Sequence, residues 1–313
     1  MPKLPLLAVP NVSEGRERAT IEAIADAFTA HGTARLLDVH SDADHHRSVF
    51  TLAGVQGELS AALLAGARVA VERIDVGEGR EPADIGEHPH VGAVDVMPVV
   101  YLEAAQRGAA CAEALVVAAE LGDELGVPVF LYGELAQGRT RAELRRGGVS
   151  GLAERLSAGE LRPDFGPPRL HPTAGATLVA AREPLVAFNL ELAAPASVDD
   201  ASRIARLIRE GGEEGLPGVR AIGVSLLRGA PTGGGTAARA AGGRAVAQVS
   251  MNVERPLEVP LRVVVEAVRR HAEVGCAELV GLAPRAALAG FPADVPLVDF
   301  DPGVHVIENA LGF

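Results

Sequence analysis

The stretch Arg162-Pro163-Asp164-Phe165-Gly166-Pro167-Pro168-Arg169-Leu170-His171-Pro172 places four prolines in eleven residues. Each proline removes a backbone donor, so this run suits neither a helix interior nor a central strand. It reads as a break, and the chain on its two sides can then be compared.

Before the break, Leu6-Leu7-Ala8-Val9 reads as a buried strand, followed by an amphipathic helix with Ile21, Ile24, Ala25 and Phe28 on one face. Leu36-Leu37-Asp38-Val39 and Ser48-Val49-Phe50-Thr51-Leu52 suit the arms of a hairpin. A second helix over 59–74 and a strand over 94–101 complete a β-α-β-β-α-β order, which a helix over 104–125 and a strand over 127–131 extend. After the break the order returns: strand 185–192, helix 198–210, strands 219–227 and 245–253, helix 261–272, strand 277–282. The chain thus reads as α+β with an N-terminal subdomain (1–162), a linker (163–180) and a C-terminal subdomain (181–313). Each half puts helices on one face of an antiparallel sheet, and the economical cover for the two remaining faces is each other. A crevice of that kind is a usual place for a small-molecule site.

Among the 313 residues, 48% are apolar, ample for packed cores. No apolar run approaches bilayer length, and the N-terminus lacks the long apolar centre of a signal peptide, so no membrane association and a cytoplasmic location are expected. Two cysteines, Cys111 and Cys276, give no disulfide framework and read as core thiols. With 29 basic and 41 acidic residues the net charge is −12, which argues against nucleic acid as a partner.

Gly86-Glu87-His88-Pro89-His90-Val91-Gly92-Ala93-Val94-Asp95-Val96 sets imidazoles in a glycine-bounded turn leading into an apolar strand. An imidazole titrates near neutral pH and can take a proton and return it, so His88 suits a general acid/base. His90 is a substrate contact or a solvated strand-edge residue. Arg47 is a carboxylate ligand or a solvated arginine. Asn11 touches substrate or caps the first helix, with Ser13 and Glu14 as rival caps. His40, Asp42, Asp44, His45 and His46 could be drawn with His88 and His90 as a metal site, but contiguous polar residues at a hairpin tip read better as a solvated turn, and no metal is expected. The glycine-rich stretch 231–243 lacks a P-loop ending and reads as a hairpin loop.

Several segments together resemble the glutamate formimidoyltransferase family, the formiminotransferase domain of formimidoyltransferase-cyclodeaminase and its free-standing bacterial relatives. They include Val9-Pro10-Asn11-Val12-Ser13-Glu14-Gly15, His46-Arg47-Ser48-Val49-Phe50-Thr51, Gly86-Glu87-His88-Pro89, Leu131-Tyr132-Gly133-Glu134, Pro163-Asp164-Phe165-Gly166-Pro167, Ala187-Phe188-Asn189 and Gln248-Val249-Ser250-Met251-Asn252. Their ordered combination spans nearly the whole chain.

The resemblance implies two ferredoxin-like subdomains whose sheets face a central folate tunnel, usually in a homodimer. The implied reaction transfers a formimino group from N-formimino-L-glutamate to tetrahydrofolate, a co-substrate, late in histidine degradation. The catalytic histidine carries over to His88. The folate segment carries over to Gly166, Pro167, Pro168, Arg169, Leu170, His171, Pro172, Thr173, Ala174 and Gly175. Substrate-binding candidates are Asn11, His40, Arg47, His90, Arg182, Asn189, Ser250 and Asn252, with Arg47 and Arg182 for anionic groups. The chain ends at Phe313 without a counterpart of the cyclodeaminase domain, so a separate cyclodeaminase is expected for the next step. His40 and His90 stand where the family usually has an acidic residue and an arginine, which keeps formyl transfer from N-formyl-L-glutamate and a non-catalytic folate-binding paralogue as alternatives.

Overall fold

The computed structural model describes residues 4–32, 34–77, 90–228 and 244–313. It divides into two units, Met1–Glu183 and Pro184–Phe313.

In the first unit the chain runs β1 (Leu6–Ala8), β2 (Asn11–Val12), α1 (Arg18–Thr29), β3 (Ala34–Asp42), β4 (Arg47–Gly54), α2 (Leu59–Arg73), β5 (Val94–Val100), α3 (Arg107–Leu125), β6 (Val129–Leu131), α4 (Arg141–Arg145), α5 (Gly148–Ser157) and β7 (Thr177–Arg182). β1 and β2 are one strand line interrupted at Val9-Pro10, and both pair with β4 and β5. The interruption lies beside Pro98, whose carbonyl accepts the Val9 N–H at 3.1 Å. A proline, which has no N–H to give, is thereby accommodated in a central strand. Spatial order is β3, β4, β1/β2, β5, β7, β6, with β5, β7 and β6 mutually parallel and the other neighbours antiparallel.

One face of this sheet is covered by α1, α2 and α3, where Phe28 meets Phe50 with ring centroids 5.3 Å apart. α2 has no capping side chain of its own. Instead the buried Glu113 of α3 accepts the N–H groups of Gly57 and Ser60, both at 2.6 Å. Glu113→Ala orphans these two donors and removes an anion from the positive end of α2, so stability should fall by about 2 kcal/mol. A lowered urea midpoint at unchanged denaturant slope is the measurement that checks it.

The second unit runs β8 (Val186–Leu192), α6 (Val198–Ile208), β9 (Val219–Arg228), β10 (Arg244–Val253), α7 (Leu261–Arg269), β11 (Val274–Val280) and β12 (Leu297–Val298). Its sheet order is β12, β11, β8, β10, β9. Taking β1/β2, β3, β4 and β5 as the first to fourth strands, the first unit has fourth-first-third-second order with antiparallel neighbours. β8, β9, β10 and β11 repeat that order. The expected recurrence of β-α-β-β-α-β is therefore present as topology.

Two expectations change. The segment 163–180 belongs to the first unit: Phe165 bridges to Val129, and β7 enters the sheet between β5 and β6. Its residues 177–181 are buried, giving no alternation from which a strand could be read. The cysteines are unbridged and half-buried rather than core thiols. No helix among the described residues is long and apolar enough to cross a membrane.

Candidate functional site

Register brings three of the substrate candidates together in the first unit. His40 pairs with Val49, Val49 with Asn11, and Asn11 with Val96, forming one row across β3, β4, β2 and β5. Arg47 pairs with Asp42 two residues along. Side chains alternate along a strand, so Asn11, His40, Asp42 and Arg47 share the face opposite α1, α2 and α3. Asn11 does not cap α1, because it is in the sheet and the helix begins after Glu17.

The loop after β2 is fastened on both sides. The Gly15 N–H donates to His46 Nδ1 at 3.1 Å, and the Ser48 hydroxyl donates to the Glu14 carbonyl at 2.5 Å. A Cβ on Gly15 would lie 2.2 Å from the Asp42 carbonyl oxygen. His45 and His46 are buried, so the hairpin tip is not the solvated turn expected. His46 Nδ1 is engaged by backbone, and among the described residues no group of three His, Cys, Asp or Glu side chains is placed to hold a metal ion.

On its other side the loop meets the turn that leads into β5. Ser13 donates its N–H to the Ala93 carbonyl at 2.9 Å and its hydroxyl to the Gly92 carbonyl at 2.7 Å. That turn is in turn stitched to the end of the folate candidate segment: Ala93 N–H to the Ala174 carbonyl and Ala176 N–H to the Val91 carbonyl, both at 2.9 Å. Gly92 and Gly175 face each other as an antiparallel bridge. His171 Nδ1 accepts the Ala174 N–H at 3.0 Å and so shapes this segment. Gly166 has φ +79°, and a Cβ there would meet the Val127 carbonyl at 2.7 Å. Pro168, Arg169, Pro172 and Thr173 are exposed, whereas Ala174 is buried. His90 thus stands one residue before a turn that joins the β2 loop to the 171–175 segment. His88 and the glycine-rich stretch 231–243 lie outside the described residues.

Arg182 is not brought to this group. It pairs with Val100 at the far end of β5, roughly 20 Å of strand from Ala93. Asn189, Ser250 and Asn252 belong to the second unit. Asn189 pairs with Ser250 and donates to Glu278 at 2.9 Å. Ser250 and Asn252 alternate with the core residues Val249, Met251 and Val253, which puts them on the sheet face away from that core.

The structure adds residues that the sequence reading missed. Asp95, 2% exposed, accepts the Val91 N–H at 2.9 Å and forms a salt bridge with Arg145 of α4. An acidic residue inside the apolar run Val94 to Val100 was the available signal. Arg145 had none, since five-residue α4 offers too little periodicity to be read. Burial pushes the Arg47 guanidinium down to about 10, with Arg145 the next contributor, against opposing pulls from Asp42 and Asp95. Arg141, also on α4, lies with its guanidinium 5.8 Å from the Tyr132 ring centroid.

A family model described as the formiminotransferase domain, N-terminal subdomain, matches residues 6–182. The chain is 35% identical over 312 residues to a glutamate formimidoyltransferase of Streptococcus pyogenes serotype M1, covering 97% of each protein. It is 33% identical over 290 residues to the glutamate formimidoyltransferase of Thermoplasma acidophilum, covering 90% of this chain and 88% of that one. A formimidoyltransferase-cyclodeaminase of Rattus norvegicus is 35% identical over 332 residues, covering 97% of this chain and 56% of that protein. The chain therefore spans little more than half the length of this bifunctional relative.

Proposed function

The chain belongs to the formiminotransferase family, and we propose that it transfers the formimino group of N-formimino-L-glutamate to tetrahydrofolate, giving 5-formiminotetrahydrofolate and L-glutamate. The observation that carries this reading is the 35% identity to a glutamate formimidoyltransferase over 97% of both chains.

In the proposed chemistry, N5 of the folate attacks the electrophilic formimino carbon and a new C–N bond forms. The His88 imidazole removes the N5 proton and returns it to the glutamate nitrogen as the old C–N bond breaks. Protons and bonds balance without a metal. The 166–175 segment holds the folate, with Asn11, His40, Arg47 and His90 around the reacting groups. The stitching of 171–175 to the turn beyond His90 supports keeping these roles together. Arg182, Asn189, Ser250 and Asn252 remain candidates for outlying contacts. The finer fold reading, ferredoxin-like halves and a folate tunnel, belongs to the same proposal, as do a cytoplasmic homodimer and a separate cyclodeaminase.

Turnover with tetrahydrofolate is to be measured in parallel with formiminoglutamate and formylglutamate, with and without chelator. The expected result is chelator-resistant transfer that prefers the formimino donor. Preference for formylglutamate would reassign the donor, and folate binding without turnover would indicate a non-catalytic paralogue.

A further inference from the structure

We propose that Gln248 is a specificity residue for a ring that offers a donor and an acceptor side by side, the pterin edge of tetrahydrofolate. The inference rests on the transferase reading for the identity of the ligand, but the unpartnered amide on which it stands belongs to the second unit alone.

Gln248 lies on β10 between the core residues Ala247 and Val249, so its side chain stands on the sheet face away from that core. Ser250 on β10 and Asn189 and Glu191 on β8 share this face by the same alternation. Gln248 is 0% exposed, and among the described residues neither its Nε2 nor its Oε1 has a hydrogen-bond partner. Its cross-strand neighbours are Glu191 on β8 and Val224 on β9, and neither supplies one. Asn189 makes the contrast. That amide is also buried, at 3% exposure, but it pairs in register with Glu278 on β11 and its Nδ2 donates to Glu278 Oε2 at 2.9 Å. Of the two buried amides, the sheet gives Asn189 a partner and leaves Gln248 without one.

A carboxamide taken out of water without partners is costly, and here the cost falls on a donor and an acceptor together. An apolar side chain of the same length would fill the position without that cost, so packing alone gives no reason for an amide. The amide also adjoins surface that a ligand can reach, since Glu191 and Ser250 beside it are only half-buried.

A side-chain amide presents its N–H and its oxygen side by side in one plane. Both are satisfied at once by a group that sets an acceptor beside a donor. The carboxylates of formiminoglutamate only accept, and its protonated formimino group only donates. The benzoyl–glutamate amide of folate is trans, with its N–H and oxygen on opposite sides. In the pterin, N3–H lies beside the 4-oxo oxygen, which is the complement of the Gln248 amide. The ligand chemistry assigned to this position is therefore a cis-amide edge.

The test compares wild type with Gln248→Met, which keeps the length and removes both polar atoms, and with Gln248→Asn, which keeps the amide on a shorter stem. Calorimetry measures binding of tetrahydrofolate, 6-methyltetrahydropterin and p-aminobenzoyl-L-glutamate, alongside urea unfolding of the free proteins and KM and kcat for both substrates. Gln248→Met should weaken binding of tetrahydrofolate and the tetrahydropterin by at least about tenfold, the scale of two lost hydrogen bonds. It should raise the tetrahydrofolate KM similarly and leave the donor KM and p-aminobenzoylglutamate binding unchanged. Its urea midpoint should be no lower than that of wild type, because the substitution breaks no bond in the free protein. A lowered midpoint with unchanged pterin affinity would make the amide structural and overturn the proposal. Folded Gln248→Met protein with wild-type affinity for both pterin-bearing ligands overturns it too, as does a loss seen only with p-aminobenzoylglutamate. If Gln248→Met does not fold, Gln248→Asn decides, since its displaced amide should weaken tetrahydropterin binding and wild-type affinity there overturns the assignment. Gln248-dependent tetrahydropterin binding without any transfer would instead sink the transferase reading while the assignment stands.

Discussion

Replacing His88 with alanine should lower kcat for formimino transfer by ~10²- to 10⁴-fold, the usual contribution of one positioned acid/base, while tetrahydrofolate affinity and the fold are retained. His88 comes only two residues before His90, and the chain from His90 onward is anchored to the β2 loop, to the 171–175 segment and to Asp95. A base can act only within hydrogen-bond reach of the proton it removes, so it is best carried by a chain whose exit is fixed. The substitution removes the proton carrier without touching the backbone bonds of Val91, Gly92 or Ala93. The limb of the kcat/KM profile that reports loss of a proton near neutral pH should disappear along with the rate. Turnover equal to wild type at full folate affinity would sink the assignment; a fall in affinity alone would make His88 a binding residue.

How much of this was legible in the sequence depended on how each element buries its side chains. The amphipathic α1 shows one apolar side and was readable from spacing, whereas the hairpin arms β3 and β4 were readable as strand-like runs on either side of a polar stretch, although β4 is buried from Ser48 to Gly54. β7 is buried along Thr177–Ala181 and follows a proline-rich run, so nothing in its pattern distinguishes a parallel central strand from a linker. The consequence is large, since β7 draws the whole 163–180 segment into the first unit. The site divides in the same way. Asn11, His40 and Arg47 were legible as polar residues in or beside strands, but their common face follows from register, which is a property of the pairing rather than of any one strand. The same pairing separates Arg182 from them by the length of β5. Asp95 broke an apolar run and could have been flagged. Arg145 becomes meaningful only once α4 is seen to bring it against Asp95.

The second large effect concerns the bridge between Gly92 and Gly175. A Cβ on Gly92 would lie 1.9 Å from the Ala176 carbonyl oxygen and 2.8 Å from that of Ala174. Gly175 has φ +66°, a region costly for residues with a Cβ, and a Cβ there would lie 2.3 Å from the Val91 carbonyl oxygen. All three obstacles are backbone atoms, and the Ala174 and Val91 carbonyls accept the bonds that hold the 90–93 turn to the folate candidate segment, so they cannot rotate aside like the end of a side chain. Gly92→Ala and Gly175→Ala should each cost about 3 kcal/mol or more, at or beyond the upper range of ordinary overpacking. Gly32 supplies the control, with φ +68° but nothing within 4 Å of a Cβ, so Gly32→Ala should cost only ~1 kcal/mol. Urea midpoints for the three variants separate the cost of close approach from that of backbone conformation. Because Gly92 and Gly175 strain one shared bridge, the double variant should lose less than the two single losses added together. Where a single variant still folds, tetrahydrofolate affinity should fall with it while the Gly32→Ala protein binds normally. Equal midpoints for Gly92→Ala and Gly32→Ala would mean that the turn and the segment can part without cost, removing the structural link that keeps the folate candidate segment beside His90.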